Sequence, residues 1–282
     1  MPDFSFNPAL SQMDEEDLEF WGPKDFQTYS SENGFSRINA PTVISIDSLE
    51  ALRPELKDTN TMVLRLGRSS SSGTQFGLVK SRDVRDFFLV DSVIFEGLTP
   101  QTFLPPMKYS ELYPFQLIGA QSETSLVNFG CSSGLLAKAL GLNFISISAP
   151  ATGASTYTFN VKVGKQIPPI RHTSGQVQFD AVFVGERGGK QCLFVLEAKN
   201  RGRHRSLAKH KLVYPILALA PNVPSDMEII PVYLKTIEHA EGVCFQVAEC
   251  SYPDPRNELS DLREVSVVNA SSYVVPSLSM GG

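Results

Sequence analysis

The clearest pattern of apolar and polar positions predicts a β-hairpin in the second half of the chain. Val177–Val184 is rich in β-branched and aromatic residues, and Cys192–Leu196 is apolar throughout. A short, continuous apolar run of this kind is typical of a strand that is buried on both faces. Glu186–Lys190 contains two adjacent glycines and supplies the turn between the two strands.

Three charged side chains are expected to converge at the open end of this hairpin. A hairpin pairs the start of one strand with the end of the other, so Asp180 should lie near Glu197. Glu197 and Lys199 are two residues apart, which puts their side chains on one face of the sheet. Burying two neighbouring carboxylates is costly unless a cation pairs with both. Mg²⁺ satisfies such a pair, and Lys199 would then orient or help to deprotonate a metal-bound water for phosphodiester hydrolysis.

The surrounding periodicity predicts a mixed α/β fold. Gln121–Leu140 and Ser206–Leu219 carry apolar residues at the spacing of helices, whereas Met227–Leu234 and Val243–Glu249 are strand-like. A strand, a helix and another strand in succession require a parallel crossover connection. From residue 121 the predicted order is helix, three strands, helix and strand (αβββαβ), built around a central mixed β-sheet.

The first part of the chain is less periodic and is expected to form an accessory region. Met62–Leu66 and Phe76–Lys80 are predicted to pair as strands. Four prolines between residues 98 and 115 interrupt any regular element there. We therefore predict an N-terminal accessory or DNA-recognition region at residues 1–115, followed at residues 116–282 by a catalytic core with a C-terminal extension.

Composition is that of a soluble globular protein. Hydrophobic residues make up 42% and charged residues 20% of the chain, and no apolar run approaches the roughly 20 residues that span a bilayer. The acidic N-terminus lacks a signal-peptide pattern, so a cytoplasmic protein without membrane partners is expected. The net charge of −5 does not exclude DNA binding, because the local distribution of charge matters more than its sum. The four cysteines form no Cys-x-x-Cys pair, which favours buried thiols over a zinc site.

Basic residues cluster directly after the carboxylate pair. Residues 199–211 contain six Lys or Arg side chains and no acid, as the surroundings of a bound phosphate require. A solvated helix start is the alternative, but cations near a helix N-terminus oppose its dipole. The polar loop between the two N-terminal strands is a second candidate DNA contact, and a surface loop without function is the alternative there. The candidate DNA-binding residues are Arg68, Gln75, Arg201, Arg203, Arg205, Lys209, His210, Lys211 and Tyr214.

The combination of Asp180, a hairpin and then Glu197-Ala198-Lys199 resembles the signature of the PD-(D/E)XK nuclease superfamily, and the chain is most like a type II restriction endonuclease. Phe179 stands where the motif's name has proline. The resemblance implies Mg²⁺-dependent hydrolysis of double-stranded DNA at a short recognition sequence by a homodimer. It also implies that Asp180, Glu197 and the Ala198 carbonyl bind the metal, and that Lys199 positions the attacking water.

Accessory residues follow from the same resemblance. Glu123, at the start of the first predicted helix, and Gln178, two residues before Asp180, could assist the site. The alternative for Glu123 is a first-turn acid favoured by the helix dipole. His210 and Tyr214 share one helical face, like the Gln-x-x-x-Tyr motif of some superfamily members with His in place of Gln, although a surface pair is the simpler interpretation.

Three other functions are compatible with the same residues. A repair or mobile-element nuclease of this fold would cut without sequence preference. A DNA-binding protein could keep the fold without the chemistry. A structural or interaction protein could carry the Glu-x-Lys as a surface ion pair, and would show neither DNA affinity nor stabilisation by Mg²⁺.

Overall fold

The computed structural model describes residues 3–35, 38–68, 73–117, 122–143, 146–200 and 204–276. The helices are α1 (Asn7–Glu15), α2 (Phe26–Glu32), α3 (Ala40–Ile44), α4 (Pro54–Asp58), α5 (Asp91–Phe95), α6 (Tyr113–Leu117), α7 (Glu123–Ser132), α8 (Leu135–Leu140) and α9 (His210–Leu219). The strands are β1 (Phe20–Asp25), β2 (Thr61–Arg68), β3 (Thr74–Lys80), β4 (Phe88–Val90), β5 (Gln101–Thr102), β6 (Ala151–Val161), β7 (Ile170–Arg187), β8 (Lys190–Asn200), β9 (Ser206–Ala208), β10 (Glu228–His239), β11 (Gly242–Ser251) and β12 (Ser266–Pro276).

Ten of these strands form one mixed sheet, which confirms the predicted α/β class. Their order is β1-β3-β2-β7-β8-β10-β11-β12-β5, and β6 pairs with β7 outside this path. β8 and β10 are parallel and are connected through α9, whereas β7 and β8 form the predicted antiparallel hairpin. From residue 123 the predicted order is present as a helical segment (α7 and α8), three strands (β6, β7 and β8), a helix (α9) and a strand (β10), with the short strand β9 added before α9.

Two predicted helices begin or end differently from the sequence pattern. Gly134 has φ 79°, a left-handed conformation that glycine adopts without cost, and it separates α7 from α8 within the predicted span 121–140. The second helix starts at His210 and not at Ser206, because β9 instead pairs with β4. Tertiary pairing thus overrides the local helical pattern at residues 206–208.

Apolar layers cover both faces of the sheet. On one side α7 and α8 pack over β7, β8 and β10, where Phe183 and Phe194 stack with their ring centroids 5.2 Å apart. On the other side α9 packs with apolar residues of the N-terminal region in a second cluster. Burying one Phe side chain contributes about 1.5–3 kcal/mol, so these layers fix the central hairpin firmly.

The N-terminal region is hydrogen-bonded to the chain that follows β8. The Ala208 amide donates to the Asp47 carbonyl at 2.8 Å, and the Leu49 amide donates to Ser206 Oγ at 2.9 Å. The Glu50 carboxylate accepts from the Ser206 hydroxyl at 3.0 Å. These bonds bring the segment 47–50 beside the predicted carboxylate pair. None of the helices in the described part of the chain has the length and apolar character needed to cross a bilayer.

Candidate active site

The β7–β8 hairpin opens into a fork at the predicted carboxylate pair. The backbone pairing of β7 with β8 runs from the turn to Ala181, which lies opposite Leu196. Beyond this pair the Asp180 side chain takes the place of a backbone acceptor: the Ala198 amide donates to Asp180 Oδ2 at 2.9 Å. Asp180 is only 8% exposed and Glu197 only 4%. The predicted convergence of Asp180 and Glu197 thus places two buried carboxylates at the point where the strands separate.

Two ammonium groups accompany Glu197. Lys199 Nζ donates to Glu197 Oε1 at 2.8 Å, and Lys211 Nζ lies 3.7 Å from the same oxygen. Burial raises the pKa of Glu197, the Lys211 and Lys199 charges oppose this shift, and the Asp180 carboxylate adds to it. A carboxyl in these surroundings gains from an additional cation, because the two ammonium groups do not return its pKa to the ordinary range.

Lys199 carries a stable positive charge. Burial lowers the pKa of Lys199, but the Glu197 carboxylate and the charges of Asp47 and Glu123 outweigh burial, so the net shift is upward. Lys211 behaves in the same way: burial lowers its pKa, and Glu197 with Asp47 raises it above the usual value. Lys199 is therefore a hydrogen-bond donor and fixed charge at neutral pH rather than a base.

Asp47 joins the site from the N-terminal region, and no sequence pattern indicated it. Its carboxylate is 3.1 Å from Lys211 Nζ. Burial raises the pKa of Asp47, but the charges of Lys211 and Lys199 prevail and lower it. Lys211, predicted as a DNA contact from its charge, is thus held between two carboxylates, those of Asp47 and Glu197.

The two accessory residues both lie beside the fork. Glu123 Oε1, in the first turn of α7, accepts from the Asn200 amide at 3.1 Å. Gln178 Nε2 is 3.5 Å from Asp180 Oδ1, on the same face of β7. α7 therefore fixes the end of β8, and Gln178 extends the site along β7.

A pocket of about 90 Å³ adjoins the carboxylates on the α9 side of the fork. Its walls include Glu197, Lys211, Arg65 and His172. Burial and the neighbouring Arg68 charge lower the pKa of the Arg65 guanidinium. Arg65 has no carboxylate within ion-pairing distance among the residues that the structure describes. A half-buried cation that has no acidic partner within the described residues, next to two carboxylates, could bind a phosphate.

The remaining predicted DNA contacts are distributed unevenly. His210 and Tyr214 line the same pocket with ring centroids 5.3 Å apart, and burial with the Lys211 charge lowers the pKa of His210 to about 3. The Tyr214 hydroxyl donates to the Arg65 carbonyl at 3.3 Å.

The other predicted DNA contacts that the structure describes lie outside this pocket. Lys209 Nζ donates to the Arg263 carbonyl at 2.7 Å. Arg205 and Arg68 are exposed, Gln75 is half-buried, and Arg201 and Arg203 lie outside the described residues.

The donor set of the fork could hold Mg²⁺. In a strand the N–H and C=O of one residue point to the same side, so the Ala198 carbonyl faces the fork as its amide does. Mg²⁺ usually binds one or two carboxylates together with water and phosphate oxygens. Asp180, Glu197 and the Ala198 carbonyl match that chemistry. No group of three or more His, Cys, Asp and Glu side chains is placed to hold a metal ion within the described residues.

No protein-family model, curated protein or solved structure matches this chain.

His172, in the wall of the pocket, is expected to make the fold sensitive to acid. Burial lowers the pKa of His172 to about 4; the Arg65 charge acts in the same direction and a hydrogen bond to the Tyr157 backbone opposes it. The neutral ring stabilises the fold above its unfolded pKa of about 6.5, and this contribution is lost as the pH falls toward 4. The loss amounts to roughly 3 kcal/mol.

Urea unfolding at neutral and acid pH tests this. His172→Gln should lose less stability between the two pH values than the wild type, and His239→Gln, at an exposed histidine, should lose as much as the wild type. Because the change with pH is compared, any cost of the substitution at neutral pH cancels. An equal loss in the wild type and His172→Gln would contradict the prediction.

Proposed function

We propose that this chain is a Mg²⁺-dependent endodeoxyribonuclease that hydrolyses phosphodiester bonds of double-stranded DNA, as a type II restriction enzyme does. One observation carries the proposal: the β7–β8 fork holds Asp180 and Glu197 side by side, with Lys199 bonded to Glu197 and the Ala198 amide bonded to Asp180. Two carboxylates and an ammonium at a strand fork are the groups that a metal-assisted hydrolysis needs.

The roles of the residues follow from their charges. Asp180, Glu197 and the Ala198 carbonyl would bind Mg²⁺. The ion would lower the pKa of a bound water and neutralise charge on the phosphate. Neighbouring carboxylates stabilise the protonated form of Lys199. Its ammonium group would donate a hydrogen bond to the attacking water and hold it in line with the phosphorus atom. Lys211 and Arg65 would stabilise the negative charge that develops on the phosphate oxygens.

Arg65 provides a test that does not depend on cleavage. Arg65→Met should weaken binding of duplex DNA in EDTA and lower the slope of log affinity against log salt by about 1, since one phosphate contact is lost. Arg85→Met is the matched control, because the Arg85 guanidinium is already paired with Asp83 at 2.6 Å. Fluorescence anisotropy over a salt series gives both slopes, and equal slopes for wild type and Arg65→Met would remove Arg65 from the interface.

A gel assay tests the reaction and separates the alternatives. Long duplex DNA incubated with the protein and Mg²⁺ should give discrete fragments, whose ends define the recognised sequence. A smear would favour the non-specific repair or mobile-element nuclease. Intact DNA in Mg²⁺ would overturn the proposal, and DNA binding without cleavage would then favour the binding protein. The resemblance also implies a homodimer on a palindromic site, which sedimentation with and without DNA would test.

A further inference from the structure

β6 and the first half of β7 form a two-stranded ribbon that extends from the fork. The ribbon, defined here as residues 151–161 and 170–180, is antiparallel and continuous apart from two register shifts. Nearly all residues of β6 are exposed or half-buried, in contrast to the buried strands β8 and β10. The two strands of the ribbon therefore present much of their surface to solvent.

The two faces of the ribbon differ in chemistry. The apolar face stacks Phe159 on His172 with centroids 4.4 Å apart, and packs Tyr157 edge-on against Phe179. The opposite face is exposed and carries side chains that are small or form hydrogen bonds. Directly opposed pairs on that face are Asn160 with Arg171, Thr156 with Gln176, and Ala154 with Gln178.

This polar face leads directly to the candidate active site. Residues two apart on a strand share a face, so Gln176, Gln178 and Asp180 form one row along β7. The Gln178 amide 3.5 Å from Asp180 Oδ1 confirms that they lie on the same side. Gln176 is four residues from Asp180 on the same face of β7, so a ligand that contacts Gln176 and continues along this row reaches the carboxylate pair.

The charge of the ribbon favours a polyanion as this ligand. The chain contains 30 Asp and Glu residues, yet residues 124–179 contain none. Arg171 on the polar face is exposed. Apart from Asp180 at the fork, the ribbon has no acidic side chain, which avoids repulsion of phosphates in a protein whose net charge is −5.

We propose that the polar face of the β6–β7 ribbon enters a groove of duplex DNA and determines the sequence that is cut. This inference rests on the proposed nuclease function. The major groove admits a two-stranded ribbon, Gln and Asn side chains pair with the adenine edge, and Thr and Ala methyl groups contact the thymine methyl. Gln176 and Thr156 therefore read bases, and Arg171 binds the backbone or a guanine.

The double variant Gln176→Ala/Thr156→Ala tests the inference, with Gln101→Ala/Thr102→Ala on the exposed strand β5 as the matched control. Each protein is incubated with Mg²⁺ and a duplex library with a randomised centre, and the cut ends are sequenced. The ribbon variant should lose discrimination at one or more base pairs by roughly 5- to 150-fold. The control should retain the wild-type preference, and matching circular dichroism and melting curves should verify that all three proteins are folded.

The outcomes separate this inference from the proposed function. Unchanged discrimination in the ribbon variant, even with a lower rate, overturns the inference while the nuclease function stands, and so does a wild type that cuts without preference. If the wild type does not cut, the nuclease function fails and the same proteins are compared for library binding in EDTA. A selective loss of affinity in the ribbon variant then supports groove binding by the ribbon, without its role in cleavage, and equal affinities overturn the inference. If the wild type self-associates without DNA and the ribbon variant does not, the face binds a second copy of the chain and the inference is overturned.

Discussion

Glu197→Gln is expected to lower the rate of Mg²⁺-dependent DNA cleavage by at least about 10³-fold. The substitution keeps the shape of the side chain and removes the negative charge that a divalent cation needs. The amide oxygen can still accept from Lys199, but Lys199 and Lys211 lose a counter-charge, so urea unfolding of the variant accompanies the rate measurement. The measurement is single-turnover cleavage of duplex DNA by wild type and variant.

Lys199→Met should lower the same rate by about 10²–10³-fold, as the loss of one preorganised charge does in other active sites. The exposed Lys190, at the turn end of β8 in the same hairpin, gives a matched control, since Lys190→Met should leave the rate unchanged. A Lys199→Met protein that cuts at the wild-type rate would exclude Lys199 from the chemistry.

Metal binding can be followed without catalysis. At Mg²⁺ concentrations above Kd, the melting temperature of the wild type should rise with the logarithm of the Mg²⁺ concentration. The melting temperature of Glu197→Gln should rise much less. Lys199→Met should keep a Mg²⁺ response, because Lys199 is not a ligand. An equal Mg²⁺ response in wild type and Glu197→Gln would show that the metal binds elsewhere.

The second large effect concerns stability. Asp91→Ala should destabilise the protein by about 3–5 kcal/mol, because it leaves a buried ammonium without its counter-charge. Asp91 and Lys235 are 8% and 6% exposed and form a close ion pair, and the Tyr233 hydroxyl donates to Asp91 Oδ1 at 3.0 Å. Lys235 also donates to the His204 carbonyl at 2.9 Å, so the pair is bonded to the backbone within the basic segment 199–211.

A double-mutant cycle distinguishes charge pairing from simple loss of packing. Asp91→Ala/Lys235→Met should be less destabilised than the sum of the single variants by more than about 1 kcal/mol, since neither charge remains unpaired. The exposed pair Asp83–Arg85 is the control, and the same cycle there should show no measurable coupling, because an exposed ion pair is screened by solvent. Additive effects in urea unfolding would contradict the assignment of a coupled buried pair.

The central hairpin and its charged end were predictable because they depend on local geometry. Turn position and strand alternation alone place Asp180 opposite Glu197 and put Lys199 on the same face, and the structure has this arrangement. Glu123 could also be foreseen, since the helix that precedes the hairpin begins with it and packs on the sheet.

Other parts of the site depend on long-range packing that no local pattern encodes. Asp47 and Arg65 reach the fork from the N-terminal region, far from Glu197 in sequence. Asp91 meets Lys235 for the same reason. Residues 206–208 have helical spacing but pair with β4, because the N-terminal region supplies the partner strand.

Cleavage of long unmethylated duplex DNA by wild type and Asp180→Asn, purified in parallel and assayed in Mg²⁺ and in EDTA, tests the central claim most directly. Asp180 accepts the Ala198 amide at the fork, so the asparagine variant keeps the local shape while losing the charge. We predict that the wild type cleaves the DNA in Mg²⁺ and not in EDTA, and that Asp180→Asn cleaves it in neither. Intact DNA with the wild type in Mg²⁺, or equal cleavage by both proteins, would contradict it.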